Sequence, residues 1–201
     1  MLLTILGLIA VLPATLVQAD DLPTQEQYIK VAFICNFIKF VEWPKEESVS
    51  KDTPIIIGII GSQSFVRAFG KVKHKKIKNR RILIKYFTGF ELLTEPSERN
   101  GEVWQKKLAT LKNCDVLLFC NGENGHAGKP REIIESLGKS SVLTIGETSG
   151  FLEFGGIINF LTEDNKVRFE ISNVSGKKAK LRISSKLLHL AKRVILDTLP
   201  D

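Results

Sequence analysis

The residues Pro54-Ile-Ile-Ile-Gly-Ile-Ile-Gly61 limit the fold more than any other stretch of the chain. Between the proline and the closing glycine every position is Ile or Gly, with no polar alternation. A strand with one face in water alternates, so this pattern predicts a strand buried on both faces, the central position of a mostly parallel sheet. The run is too short for an independent helix and too rich in β-branched residues to favour one. Helices must then cover both faces, which makes the fold α/β and three-layered.

The flanking sequence supplies those layers. Thr24-Gln25-Glu26-Gln27 has the spacing of a capping box. The helix it opens places Ile29, Ala32, Phe33, Phe37, Phe40 and Val41 on one stripe, with Glu26, Lys30 and Lys39 outside. Trp43-Pro44 closes it, because a residue before proline leaves the helical region. A short helix follows from near Phe65, then strands at 82–87, 116–119 and 142–145. Between them lie helices carrying Val103 to Leu111 and Pro130 to Leu137, the latter stopped by Gly138. After Gly146 an antiparallel hairpin is expected, with arms at 156–161 and 167–171. Asn173 caps a short basic helix in this reading. Ser184 or Ser185 caps a last helix that packs through Leu187, Leu188, Leu190, Ala191, Val194 and Ile195. The expectation is a mostly parallel sheet of about five to six strands flanked by helices, ending in a C-terminal antiparallel hairpin.

The first 19 residues read as a signal peptide: Met1 to Val17 carries no charged side chain, and Val17-Gln18-Ala19 suits cleavage near Ala19. Pro13 interrupts the apolar run, which is short for a membrane span of roughly 20 residues. Residues 20–201 then form a single α/β domain, without internal repeat or linker. The 29 basic and 22 acidic residues give a net charge of +7, and in an exported protein that surplus suits anionic lipid or an acidic protein face better than nucleic acid. Composition, 43% hydrophobic and 25% charged, excludes a disordered chain. Cys114 and Cys120 flank a strand and would sit roughly 20 Å apart at about 3.3 Å per residue, too far to bridge. Cys35 either meets one of them or all three stay reduced and buried; buried thiols are the leading expectation.

No residue set supports catalysis. His74, His126 and His189 fall on separate elements without ligand spacing, and the cysteines form no C-x-x-C, so neither a metal nor a cofactor is expected. Ser136-Leu137-Gly138-Lys139 matches S-x-x-K by letter, but Gly138 breaks the helix that would hold the pair. Gly58-Ile59-Ile60-Gly61 has neither Rossmann nor Walker spacing. Three features remain. A doubly wound sheet would place Ser62 and Gln63 beside Asn121, Asn124 and His126 at the crevice where strand order reverses, a candidate small-ligand site with solvated turn residues as the alternative. Basic residues crowd Lys71 to Arg81 and recur at Lys177, Lys178, Lys180 and Arg182, a solvated face or a surface for anionic headgroups. Phe37, Phe40 and Trp43 read as core packing first, with a partner surface as the alternative.

The block Phe37-Ile38-Lys39-Phe40-Val41-Glu42-Trp43-Pro44 resembles the opening helix of the YfiR family of bacterial periplasmic proteins. Cys114-Asp115-Val116-Leu117, Val142 to Ile145, Gly155 to Phe160, Val167 to Ile171 and Ile183-Ser184-Ser185-Lys186-Leu187-Leu188 continue the resemblance in collinear order. It implies a non-enzymatic regulator that binds the periplasmic portion of an inner-membrane diguanylate cyclase. Such a protein represses the enzyme, lowering cyclic di-GMP signalling and biofilm formation. Release by an outer-membrane-associated partner or by a redox change is implied as well, although Gly58 and residues 150–159 lack the cysteines that some relatives pair. Whether two copies form a homodimer stays open.

Overall fold

The computed structural model describes residues 22–44, 48–88, 101–120 and 129–197. The strand at the centre of the sheet is Ile55–Ile60, β2. It follows α1, Gln25–Phe40, and the two-residue strand β1, Val41–Glu42. After it come α2, Gln63–Ala68; β3, Lys76–Ile77; β4, Arg80–Phe87; α3, Glu102–Lys112; β5, Val116–Phe119; and α4, Pro130–Leu137. The chain continues with β6, Leu143–Gly146; β7, Ile158–Glu163; β8, Lys166–Ser172; α5, Asn173–Lys178; β9, Arg182–Ile183; α6, Ser185–Leu190; and β10, Arg193–Ile195.

Eight strands form one mixed sheet in the order β10-β8-β7-β6-β5-β2-β4-β3, and β1 pairs with β9 in a separate two-stranded sheet. The pairs β2–β4, β2–β5, β5–β6, β6–β7 and β10–β8 are parallel, while β7–β8 and β3–β4 are antiparallel. β2 is buried on both faces as its composition requires. Ile55, Ile57 and Ile59 enter one core with Phe37, Phe65 and Phe69, and Ile60 enters another with Trp104, Leu111 and Phe151. Gly58 lets β5 and β4 close around it, since a Cβ there would lie 2.6 Å from Leu117 Cδ2 and 2.9 Å from Phe87 Cε2.

The sheet exceeds the expected strand number at both edges, for two local reasons. Lys78 and Asn79 both take positive φ, 51° and 63°, the pattern of a two-residue type I′ turn. That turn folds part of the basic run into the β3–β4 hairpin and starts β4 at Arg80 instead of Ile82. At the other edge, α6 stops at Leu190, and Arg193–Ile195 lies parallel to Glu170–Ser172. β-branched Val194 and Ile195 suit that edge, and Lys192 N donates to Phe169 O at 2.8 Å. Val194 and Ile195 therefore leave the helical stripe assigned to them, and Leu190 is 69% exposed.

The stripe on α1 also shifts. Thr24 makes the expected capping box with Gln27, but the buried set is Lys30, Val31, Ile34, Phe37 and Ile38. Ile29 is 41% exposed and Ala32 faces water. Apolar residues nearly encircle this helix, so two stripes compete, and ion pairs at Lys30 admit a cation to the inner face. Ser172, not Asn173, caps α5, its hydroxyl accepting from Ser175 N at 3.2 Å. Ser184 caps α6. The three cysteines are free thiols, Cys114 and Cys120 buried and Cys35 half-buried.

Candidate functional site: a basic cleft around Trp43

α1 ends where Val41 turns extended and donates its N–H back to Phe37 O. The next two residues do not trail into a loop; they pair with β9 in the register Val41↔Ile183 and Glu42↔Arg182. Ser184 N adds a bond to Phe40 O at 2.9 Å, and Arg182 forms an ion pair with Glu42. The two blocks that carry the family resemblance most specifically are thus hydrogen-bonded to each other.

This pairing gathers the two basic stretches around Trp43. Lys78, on the β3–β4 turn, donates from Nζ to Val41 O at 2.6 Å and lies 5.3 Å from the centroid of the Trp43 ring. Arg80 is 8% exposed; its Nε donates to Thr53 O at 2.8 Å and its Nη2 to Pro54 O at 2.9 Å. Nη2 also stands 3.7 Å from Asp115 Oδ2, which accepts from Ile56 N at 2.7 Å. Asp115 and Arg80 thereby hold the start of β2 in place. Lys51, Lys180 and Arg182 complete a cleft of about 800 Å³ in which Glu42 is the one carboxylate among the described lining residues. Such a wall attracts anionic groups, and Trp43 adds a flat apolar contact.

The expected partner residues separate. Phe37 is wholly buried in the core and lines neither cleft, its ring edge-on to Phe169 at 4.9 Å and tilted against Phe160 at 5.6 Å between centroids. Phe40 is half-buried against the same core. Trp43 lines the cleft.

At the proposed ligand crevice, β4 and β5 flank β2, so strand order does reverse beside Ile60 and Ser62. Ser62 is 4% exposed, however, and its hydroxyl accepts from Phe65 N at 3.3 Å and meets Ser64 Oγ at 2.9 Å. Gln63 opens α2 and faces water. Asn121, Asn124 and His126 lie outside the described residues.

A second polar cleft lies at the other end of α1. Lys30 Nζ stands 2.7 Å from Glu26 Oε1 and 2.5 Å from Glu147 Oε2. Burial pulls the Lys30 ammonium down, but Glu147 and Glu26 outweigh it and leave the group above the ordinary lysine value. Hydrogen bonding to Lys30 holds Glu26 below its ordinary value. Nearby, Arg193 bonds Glu170 at 2.6 Å and Glu153 at 3.0 Å. Among the described residues no three His, Cys, Asp or Glu side chains converge as metal ligands, and no helix is long and apolar enough to cross a membrane.

A mixed sheet whose order reverses at its central strand, wrapped by short helices and carrying two clefts of opposite charge, defines an α/β protein of the switch-point type. Within that class the chain belongs to the YfiR/HmsC-like family, DUF4154, whose model matches residues 27–192. No curated protein matches it. Among solved structures it is similar to a conserved domain protein from Vibrio cholerae O1 biovar El Tor strain N16961, at 11% identity and a TM-score of 0.54 over 86% of this chain and 61% of that one. It is also similar to an ABC domain from Streptococcus pneumonia solved in complex with L-Trp, at 11% identity and a TM-score of 0.53 over 80% of this chain and 59% of that one. At such identities the likeness is one of fold, and the chain spans about six-tenths of each neighbour's length.

Proposed function

We propose that the protein is a periplasmic, non-enzymatic regulator that binds and represses an inner-membrane diguanylate cyclase, lowering cyclic di-GMP signalling. Membership of the YfiR/HmsC-like family over residues 27–192 carries this reading. Export by a leader ending near Ala19 leaves a single mature domain in the compartment where such a partner projects. The basic cleft around Trp43 supports a particular face for the contact: Lys51, Lys78, Lys180 and Arg182 surround an aromatic side chain at the meeting point of β1 and β9. An acidic portion of the partner suits that wall.

Deleting the gene should raise intracellular cyclic di-GMP and biofilm, and an unchanged level across growth conditions would sink the proposal. The face is tested separately with the purified periplasmic portion of the cyclase. Lys180→Glu and Lys51→Glu should weaken binding and flatten its salt dependence, because long-range steering between opposite charges is screened within about 8 Å at physiological ionic strength. Binding unaltered by both reversals would place the contact elsewhere.

A further inference from the structure

The second cleft, of about 700 Å³, is lined by Glu26, Glu147, Glu153 and Glu170 against Lys30 and Arg193. Each of the two cations already serves two of the carboxylates: Lys30 meets Glu26 and Glu147, and Arg193 meets Glu170 and Glu153. The lining therefore keeps an excess of negative charge. Its wall also holds Asn159, a residue of β7 that is 1% exposed. Asn159 Nδ2 donates to Glu170 Oε1 at 3.1 Å, while Asn159 Oδ1 is buried with no hydrogen-bond partner. Buried acceptors are nearly always satisfied, so this oxygen calls for a donor where the surrounding carboxylates call for a cation.

A bare divalent ion does not answer both demands. It needs several oxygen ligands around one point, and the described carboxylates do not converge in that way. An ammonium group does, since it brings N–H donors and positive charge on one compact head. Phe160, on the other face of β7, also lines the cleft, and Lys30 Nζ lies 5.7 Å from its ring centroid, so the lining tolerates a cation over an aromatic face.

We propose that this cleft binds a small alkylammonium compound, mono- or dicationic, whose ammonium donates to Asn159 Oδ1 and is balanced by Glu170 and Glu147. The site is distinct from the basic cleft and does not depend on the regulator reading. Thermal shift and calorimetry on the mature protein test it with 1,4-diaminobutane, butylamine, succinate and calcium chloride at matched ionic strength. The amines should raise the melting temperature saturably, and succinate and calcium should not. Asn159→Leu should weaken amine binding about tenfold or more, the loss of one hydrogen bond to a charged group. Glu153→Gln, at the exposed rim, should weaken it by about two- to fivefold through lost charge alone. The second variant reads the charge dependence even if the first fails to fold. Equal shifts with calcium or succinate, no saturable shift with either amine, or unchanged affinity in the variants would each overturn the proposal.

Discussion

Lys30 is a cation on the inner face of α1, 7% exposed, and it ties that helix to Glu147 at the carboxyl end of β6. Lys30→Met keeps the stem's length and removes the charge. Taking one partner from a buried ion pair costs about 3–5 kcal/mol, because the other charge stays behind. Here the Glu147 side chain keeps 13% of its exposure and the Glu26 side chain 43%, so water relieves part of that cost. Methionine also retains the packing of the stem against apolar neighbours. The expected loss is about 1.5–3 kcal/mol, read as a fall of about 1 M in the urea midpoint at unchanged slope. Lys30→Met combined with Glu147→Gln should recover at least about 1 kcal/mol, the coupling of groups in direct contact. The pH dependence has a defined sign. Glu26 lies below its ordinary value in the fold, so its contribution is complete above pH 4.5 and fades as pH falls through the lowered value. Lys30 lies above its ordinary value, so its contribution is complete below pH 10.5 and fades only as pH rises through the raised one. The difference between wild type and variant should be flat between those limits and shrink outside them. Single and double substitutions that add within about 0.5 kcal/mol would refute the argument that the pair acts as a unit.

Three further outcomes follow from local geometry. Burial pushes the Cys114 thiol up to about 11 and Cys120 well above its ordinary value, and also raises half-buried Cys35, against the opposing charges of Lys39 and Lys75; a thiol reagent at neutral pH should leave Cys114 and Cys120 unmodified in the folded protein and reach all three cysteines in urea, and rapid native labelling of Cys120 would contradict the packing. A Cβ at Gly58 would lie 3.2 Å from Cys114 Sγ, so Gly58→Cys should form a disulfide with Cys114 under oxidation, leaving Cys35 and Cys120 as the free thiols; four free thiols in the folded variant would show that Leu117 and Phe87 do not yield. Asn79→Gly, at φ 63° in the β3–β4 turn, should stabilise the fold by about 0.5–1 kcal/mol, since glycine carries no steric penalty there, and a fall in the urea midpoint would argue against the type I′ turn.

What the sequence disclosed, and what it hid, divides along the range of the interaction that fixes each feature. β2 was legible because burial on both faces removes polar alternation within six adjacent residues; β5 and the β7–β8 hairpin were legible for similarly local reasons. The register of α1 was not, because Ile29–Phe33 and Val31–Ile34 both read as inward stripes, and the deciding contact, Lys30 to Glu147, spans 117 residues. The β3–β4 hairpin was missed because Lys78-Asn79 lacks the glycine that marks such turns, and β10 because a helical stripe continued through Val194 and Ile195. The basic cleft needed the β1–β9 pairing: read separately, its two charge runs look like ordinary solvated faces, and only a two-residue ladder brings them to Trp43.

One local signal for the acidic cleft was present, in Asn159. Asparagine interrupts the buried, otherwise apolar first half of β7, where its propensity is low and burial leaves it dependent on partners. Its Nδ2 finds Glu170 and its Oδ1 finds nothing. Packing alone does not account for that residue, since Ile158 and Phe160 on either side fill the core through the opposite face of the sheet. Lys30 is the contrast: it too enters a buried stripe that Val31, Ile34 and Ile38 already satisfy, but Glu26 and Glu147 both pair with it, so the fold accounts for it. A buried acceptor that a core does not need, placed beside an opening and left short of a donor, is better explained by what enters the cleft than by what holds the fold. Replacing both Lys30 and Asn159 with apolar residues should therefore cost about the sum of the two single losses in urea unfolding, because Lys30 pairs with Glu26 and Glu147 whereas Asn159 bonds Glu170; a departure from additivity beyond about 0.5 kcal/mol would bind Asn159 to the same structural unit as Lys30 and count against a ligand role.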